Sequence, residues 1–531
     1  MEGADQSDLR GQRIAKLRRL RDRGVEPFAI NFERTHTITE AIEVFLAAER
    51  TASAAGPAET IAEPGGDDAG ASTPPPDVRS EPVALAGRLM RHRAQGKAGF
   101  GDIVDLGGKI QLYVRVDHLG AEGMDLFDDL DLGDIVGVRG PLFRTRRGEV
   151  SVEVEELTML TKALRPLPDK WHGLKDPETR YRQRHVDLIV NRDVSRVLTL
   201  RSRLISHLRR FLDGRGFIEV EIPVLHKVAG GAAARPFLTH HNALDVDLKL
   251  RIALELHLKR LVVGGLERVY EIGRVFRNEG VDATHNPEFT MLELYQAYTD
   301  LEGMADIVEA MLQGAAGLLL GAEAIEFRGT RVDISGHWPR LEMRDLVSRY
   351  NPGVDVDSVE QLRARALELG AIGTERLGWG EALYELFERS VEDQLISPTF
   401  VIGFPAAVSP LARRRADDPR LVHRFEMFIH GQELANAFAE LTDPIDQRAR
   451  FEEQLLARAA GDDEAHPMDE EFIAALEQGM PPTGGLGVGI DRLVMLFADV
   501  AHIRDVIAFP LMRDAQGAEA AEDGVPAEPP A

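Results

Sequence analysis

Residues Arg268 to Tyr295, reading RVYEIGRVFRNEGVDATHNPEFTMLELY, constrain the fold of this chain more than any other stretch. Two β-patterned runs flank a polar turn containing Gly280, His285, Asn286 and Pro287, so the segment reads as a strand, a loop and a returning strand. Side chains alternate between faces along a strand. That places Arg277 and Glu279 on one face of the first run, and Phe289, Met291, Glu293 and Tyr295 on one face of the second. If the two faces coincide, a cation, carboxylates and a stackable ring converge, as binding a charged nucleotide and a cationic substrate requires.

Two further segments carry chemistry. RFEMFIHGQELANAFAEL, residues 424 to 441, reads as two strands about a His430-Gly431 turn. Glu426 and Glu433 sit on opposite arms as near neighbours, and two carboxylates so placed could bridge magnesium on ATP phosphates. On the second arm Asn436, Phe438 and Glu440 share parity and offer an amide, a ring and an acid to one pocket. GGLGVGIDRLVMLF, residues 484 to 497, reads as a glycine-rich strand passing into a helix whose first turn carries Asp491 and Arg492. Glycines permit close backbone approach, and an arginine there can reach a phosphate or cover a flat ring. The spacing is neither Gly-x-Gly-x-x-Gly nor a P-loop ending in Gly-Lys-Ser/Thr, which disfavours both of those nucleotide folds.

A chain of 531 residues is too long for one ordinary core, so two or three domains are expected. With no cysteine and 16 histidines that form no tight cluster, a structural zinc site is not expected. No apolar run approaches the roughly 20 residues of a membrane span. The start MEGADQSDLR lacks the order of an export signal, so the expected compartment is the cytoplasm. The net charge of -25 argues against nucleic acid only if it is evenly spread. It is not: Arg10, Arg13, Lys16, Arg18, Arg19, Arg21 and Arg23 crowd one segment, and Arg88, Arg91, Arg93 and Lys97 another, at spacings that suit phosphate contacts.

The expected organisation starts with a basic helical arm over 1–51, its helix at 9–24 carrying Leu9, Ile14, Leu17 and Leu20 near one face. Residues 52–82, rich in Ala, Gly and Pro, read as a flexible low-complexity insertion. Residues 83–161 hold five short β-rich runs, the size of an OB-fold barrel with an open face where bases stack on aromatic rings; Phe100 and Tyr113 are candidates. A connector over 162–190 leads to an α+β domain over 191–513 built on an antiparallel sheet flanked by helices, and 514–531 reads as a disordered tail.

In this order the segments resemble the signature regions of class II aminoacyl-tRNA synthetases, and their wording resembles the bacterial lysyl enzymes. RSRLISHLRRFLDGRGFIEVEIPVL looks like motif 1, the dimer-forming element, Arg268 to Tyr295 like motif 2 and Gly484 to Phe497 like motif 3; GGAAARPF, LKRLVVGG, RNEG, HNPEFTM and SPLARR extend the resemblance over 83–513. The resemblance implies that Arg277 holds the α-phosphate and substrate carboxylate, and that Phe289 and Arg492 sandwich adenine with Glu279 and His285 nearby. It implies magnesium on Glu426 and Glu433. Gly231 and Glu255 would meet the lysine α-amino group, Asn436 its carboxylate, and Glu293, Tyr295 and Glu440 its distal ammonium, with Phe438 lining the same pocket. On the barrel, Phe100 would stack an anticodon base, and Arg88, Gln111 and Glu156 would read or position the anticodon.

The implied function is lysine activation with ATP and transfer to the 3′ end of tRNA(Lys), by a homodimer with no membrane association. Catalysis by Arg277, Arg492 and metal would rest on positioning and charge neutralisation, with no covalent enzyme intermediate. The sequence departs from the family at Leu254 and His257, in LELH where the family usually reads PELY, and at Ala439, where a small hydroxyl residue is common. Two other readings stand beside this one: a paralogue passing lysyl-adenylate to another acceptor, and a catalytically silent tRNA-binding paralogue.

Overall fold

The computed structural model describes residues 2–54, 78–168, 174–459 and 466–513. Most of the expected insertion, part of the expected connector and the whole expected tail at 514–531 lie outside these. The chain divides into two compact units, Met1–Lys175 and Asp176–Ala531.

The first unit is a seven-stranded sheet in the order Leu142–Arg144, Val150–Val154, Lys109–Arg115, Ala98–Val104, Val83–Gln95, Ile135–Gly140, Glu156–Thr161. The five runs of the sequence become seven strands because the last two are interrupted. Pro141 has no N–H to continue a ladder, and a Cβ at Gly140 would collide with the Glu153 carbonyl. The strand Val83–Gln95 pairs with neighbours on both sides and bends at a bulge between Leu89 and Arg91, which curls the sheet. Leu85, Leu89, Ile103, Leu112, Val136, Val138 and Phe127, the last from the helix Val116–Asp129, form its core.

Three expectations change here. The N-terminal helix runs Glu2–Asp22 and buries Leu17 and Leu20, but Leu9 is exposed. Much of its basic cluster is spent on the fold. Arg13, 9 % exposed, donates to the carbonyls of Leu132, Ala163 and Arg165, while Lys16 pairs with Asp131 and Arg19 and Arg23 pair with Asp129. Arg10, Arg18 and Arg21 stay exposed. Both ends of the stretch 52–82, expected to be a flexible insertion, are structured: the helix Ile38–Ala54 runs into its start, and at its end Ser80 donates its N–H to the Leu142 carbonyl while Arg79 bridges to Phe143.

The second unit is built on an eight-stranded sheet in the order Arg340–Glu342, Thr399–Ile402, Arg424–Ile429, Gln432–Ala439, Thr483–Gly489, Glu288–Ala297, Arg268–Phe276, Ile218–Glu219. The central six strands are antiparallel, and a short parallel strand closes each edge. One face is apolar: Leu292, Leu294, Leu486, Val488, Ala435, Ala437, Phe425 and Met427 join a core with Leu204, Leu208 and Leu212 of the helix Arg192–Asp213 and with residues of Leu301–Leu320 and Ile490–Ala498. Each buried large aliphatic stabilises by roughly 1.5–3 kcal/mol, so a one-residue slip of any central strand is heavily opposed. The opposite face is therefore fixed in register. The helix Leu301–Leu320 is, against the sequence reading, long and apolar enough to cross a membrane by length and composition, but its Met304, Val308, Met311 and Leu312 are fully buried in this core.

Candidate active site

Directly opposed residues of an antiparallel ladder point to the same side, so the registers build the site row by row. Across the sheet run Glu271, Glu293, Gly487, Asn436 and Glu426. Beside them run Val269, Tyr295, Gly485, Phe438 and Arg424, and on the other flank Gly273, Met291 and Gly489. Gly485, Gly487 and Gly489 contribute no side chain to this face, and that opens a cavity of about 680 Å³ over them. Gly485 has no room for more: a Cβ there would collide with the Glu440 carboxylate and the Tyr295 ring.

Phe289, Met291, Glu293 and Tyr295 do share the face that the period of two assigns them. Arg277 and Glu279 do not lie on the first strand, which stops at Phe276; they occupy the loop beyond it and line the cavity from there. Arg277 stays anchored by its N–H to the Pro287 carbonyl at 2.9 Å, and its guanidinium lies 5.1 Å over the Phe289 ring. In the same loop Thr284 and His285 donate backbone N–H groups to Asp282, which these bonds pull down to about 2 against the opposing effect of burial. His285 is thereby held 3.0 Å from the Arg492 guanidinium, which also donates to the Glu433 carbonyl. Asp491, beside Arg492, lines the cavity as well. It accepts from Arg201 and from the Thr290 N–H, joining the helix Arg192–Asp213, the returning strand and the helix Ile490–Ala498.

Glu426 and Glu433 do not face one another. Glu426 opposes Asn436 and Glu433 opposes Phe428, with a bulge between. Arg424, which the sequence reading missed although it shares parity with Glu426, bonds to the Glu426 carboxylate and donates to Asn436 and Ser409. Burial pushes Glu426 up to about 8 in spite of Arg424, with Glu433, Glu392 and Glu388 adding to it; burial likewise pushes Glu392 up to about 8. This is an excess of negative charge that a divalent cation would relieve. Among the described residues no group of three or more acids or histidines is spaced to hold a metal, so a cation here would take its remaining ligands from phosphate and water.

At the other end Gly231, Glu255, Glu293, Tyr295, Asn436 and Phe438 line the cavity, with His466. Glu293 accepts from the Leu254 N–H at 2.9 Å and from the Tyr295 hydroxyl at 3.2 Å, and burial, reinforced by Glu255, pushes it up to about 7. Glu440 lies behind this lining, 2 % exposed, and neither of its oxygens has a well-formed hydrogen bond. Burial pushes it up to about 8, with Glu255 and Glu293 adding and Lys259 opposing. Lys259, fully buried on the helix Glu255–Val263, contacts both Glu255 and Glu440. The signal for it was the i, i+4 spacing from Glu255 on a helix. Glu271, also unforeseen, holds Arg251 at 2.7 Å and accepts from the Ile222 N–H, fixing the segment that leads into that helix.

The barrel of the first unit carries a separate candidate surface. Phe100 opposes Tyr113, their ring centroids 5.1 Å apart, and Tyr113 lies 5.7 Å from Phe143, so three rings form a row. Gln111 is tied to Ser151 and Glu149, and Arg88 donates to the Gly133 carbonyl. Glu156 is on an edge strand opposite Arg139, while the Phe32 ring covers Gly137 of the strand beside it.

Residues 176–513 match the model of the tRNA synthetases class II (D, K and N), and residues 83–160 that of the OB-fold nucleic acid binding domain. The chain is 53 % identical to the lysine–tRNA ligase of Moorella thermoacetica over 511 residues, covering 96 % of this chain and 98 % of that protein. It is 51 % identical to the lysine–tRNA ligase of Carboxydothermus hydrogenoformans, covering 97 % and 99 %, and 50 % identical to that of Pelotomaculum thermopropionicum, covering 96 % of each. With its synthetase sheet, its barrel and this similarity along nearly its whole length, the chain belongs to the class II tRNA synthetases, within the lysine–tRNA ligase family.

Proposed function

We propose that the protein activates L-lysine with ATP and transfers it to the 3′ end of lysine tRNA. The observation that carries the substrate is the buried acidic end of the cavity: Glu255, Glu293 and Glu440 are each 5 % exposed or less, and one buried ammonium, Lys259, is shared between Glu255 and Glu440. Three buried carboxylates against one fixed cation attract further ammonium groups, and a neutral or acidic side chain would leave the surplus charge unpaired. Glu255 and the Gly231 backbone take the α-amino group, Asn436 and Arg277 the carboxylate, and Glu293, Tyr295 and Glu440 the distal ammonium, with Phe438 as a wall.

Arg277 bridges the substrate carboxylate and the α-phosphate, while Phe289 and Arg492 cover the two faces of adenine beside Glu279 and His285. Glu426 and Glu433 hold Mg2+, which supplies charge neutralisation on the phosphates. A lysine carboxylate oxygen attacks the α-phosphorus in line, and pyrophosphate leaves with the bond to that phosphorus. The tRNA 3′-hydroxyl then attacks the adenylate carbonyl, and AMP leaves. Arg277 and Arg492 act by position and charge, worth most where water is excluded. Phe100, with Arg88, Gln111 and Glu156, forms the anticodon surface, supported by the row of rings and the exposed Arg91 and Arg93 beside it. The exposed apolar residues Ile218, Val224, Leu225 and Leu238 suit a second copy of the chain, and the working compartment is the cytoplasm.

ATP/pyrophosphate exchange with each standard amino acid, followed by charging of lysine tRNA, tests this reading. Exchange driven by lysine together with charging is expected. Exchange without charging would assign another acceptor, and no exchange would assign a silent protein.

A further inference from the structure

Lys259 stands out among the buried groups of the second unit that the proposed chemistry leaves unused. It is fully buried, and its ammonium touches two of the three carboxylates at the ammonium end of the cavity, Glu255 one helical turn before it and Glu440 beyond the strand Gln432–Ala439. The rings of Tyr295 and Phe472 each lie 5.9 Å from it. Glu440 is kept behind the cavity lining on this side and against Gly485 on the other.

We propose that Lys259 is a positioning residue that determines amino-acid specificity: its ammonium ties Glu255 to Glu440 and leaves the pocket with the surplus negative charge that the substrate's ammonium groups neutralise. This rests on the reading that the pocket takes lysine. Three carboxylates sharing one dry compartment repel each other and take up protons, and a protonated acid has little attraction for an ammonium. One fixed cation opposes that uptake, so the protons are given up more readily as the substrate's ammonium groups arrive. The contacts also hold Glu440 at a set depth, which fixes the length of side chain the pocket measures. Lys259 is not a catalytic residue, because the reacting carboxylate and phosphate belong at the Arg277 end.

The groups facing the ammonium are Glu255 from its own helix, Tyr295 from the strand Glu288–Ala297, Glu440, and His466 from the segment before the helix Glu470–Glu477, with Glu293 acting in turn on Glu255, Tyr295 and Glu440. Lysine and ATP dependence of pyrophosphate exchange is measured for Lys259→Met, Lys259→Arg and Glu440→Gln in the full chain, after thermal melts establish folding. Lys259→Met is expected to raise KM for lysine at least tenfold with KM for ATP within twofold, and to make lysine use rise more steeply than wild type between pH 7 and pH 9. Lys259→Arg, which keeps the charge, should recover part of the loss. An unchanged or lowered lysine KM in Lys259→Met, or equal changes for both substrates, would overturn the proposal. If Lys259→Met does not fold, Lys259→Gln is judged by the same outcomes. A Glu440→Gln variant with normal lysine KM would instead overturn the pocket reading itself.

Discussion

The two ends of the cavity both crowd carboxylates, yet they are built differently. At the ammonium end Glu255, Glu293 and Glu440 are all buried, and two of them, Glu255 and Glu440, meet a fixed cation, Lys259. At the phosphate end only Glu426 is buried; Glu433 and Glu392 are partly open and Glu388 is exposed, and the neutralising groups are Arg424 and Arg492. A dry end whose charges are held by packing reads one ligand geometry. An end whose acids are mostly open to water suits a hydrated cation and a flexible triphosphate. Specificity for the amino acid and tolerance for the metal-nucleotide thus follow from burial, not from the kind of residue used.

The largest expected break in this contrast is Gly485→Ala. Its Cβ would push Glu440 and Tyr295 out of place, so lysine-dependent exchange should fall by about 100-fold or more while ATP binding survives, read by nucleotide titration. Glu426→Gln strikes the other end. It should lower exchange by about tenfold to 100-fold and raise the Mg2+ needed, with lysine affinity little altered, since it removes one of the two carboxylates proposed to hold the metal and no proposed ammonium partner. A pH series sharpens the comparison. Glu293 at about 7 and Glu440 at about 8 bind protons in the empty pocket that the incoming ammonium must expel. Lysine affinity should therefore rise by more than about tenfold between pH 6 and pH 8, with proton release visible as a buffer-dependent heat. The smallest effect is expected from Phe100→Ala, which should reduce tRNA charging by about fivefold through lost stacking and leave exchange untouched.

Much of this was legible in the sequence, because strand parity is a local property. Phe289, Met291, Glu293 and Tyr295 needed only the period of two, and the His430-Gly431 turn announced its hairpin; both residues adopt positive φ, 53° and 68°, as a tight hairpin turn requires. What was hidden depends on register between strands far apart in the chain. Nothing local says that Gly485 lies opposite both Tyr295 and Phe438, or that a bulge takes Glu433 off the row of Glu426. Charge was misread for the same reason. Arg13 and Lys16 look like phosphate ligands until Leu132 and Asp131, more than 100 residues on, claim them. Lys259 was hidden differently: a lysine on a helix looks solvated until the sheet beneath it is found to carry Glu440.

The most direct test of the central claim, that the buried acidic end reads the substrate ammonium, is calorimetric binding of lysine and of ATP to wild type and to Glu440→Gln. Losing one charged partner in a buried site costs about 2–5 kcal/mol, so lysine should bind at least about 30-fold more weakly to the variant, with ATP binding within threefold. Equal weakening of both ligands, or lysine binding unchanged, would contradict the account.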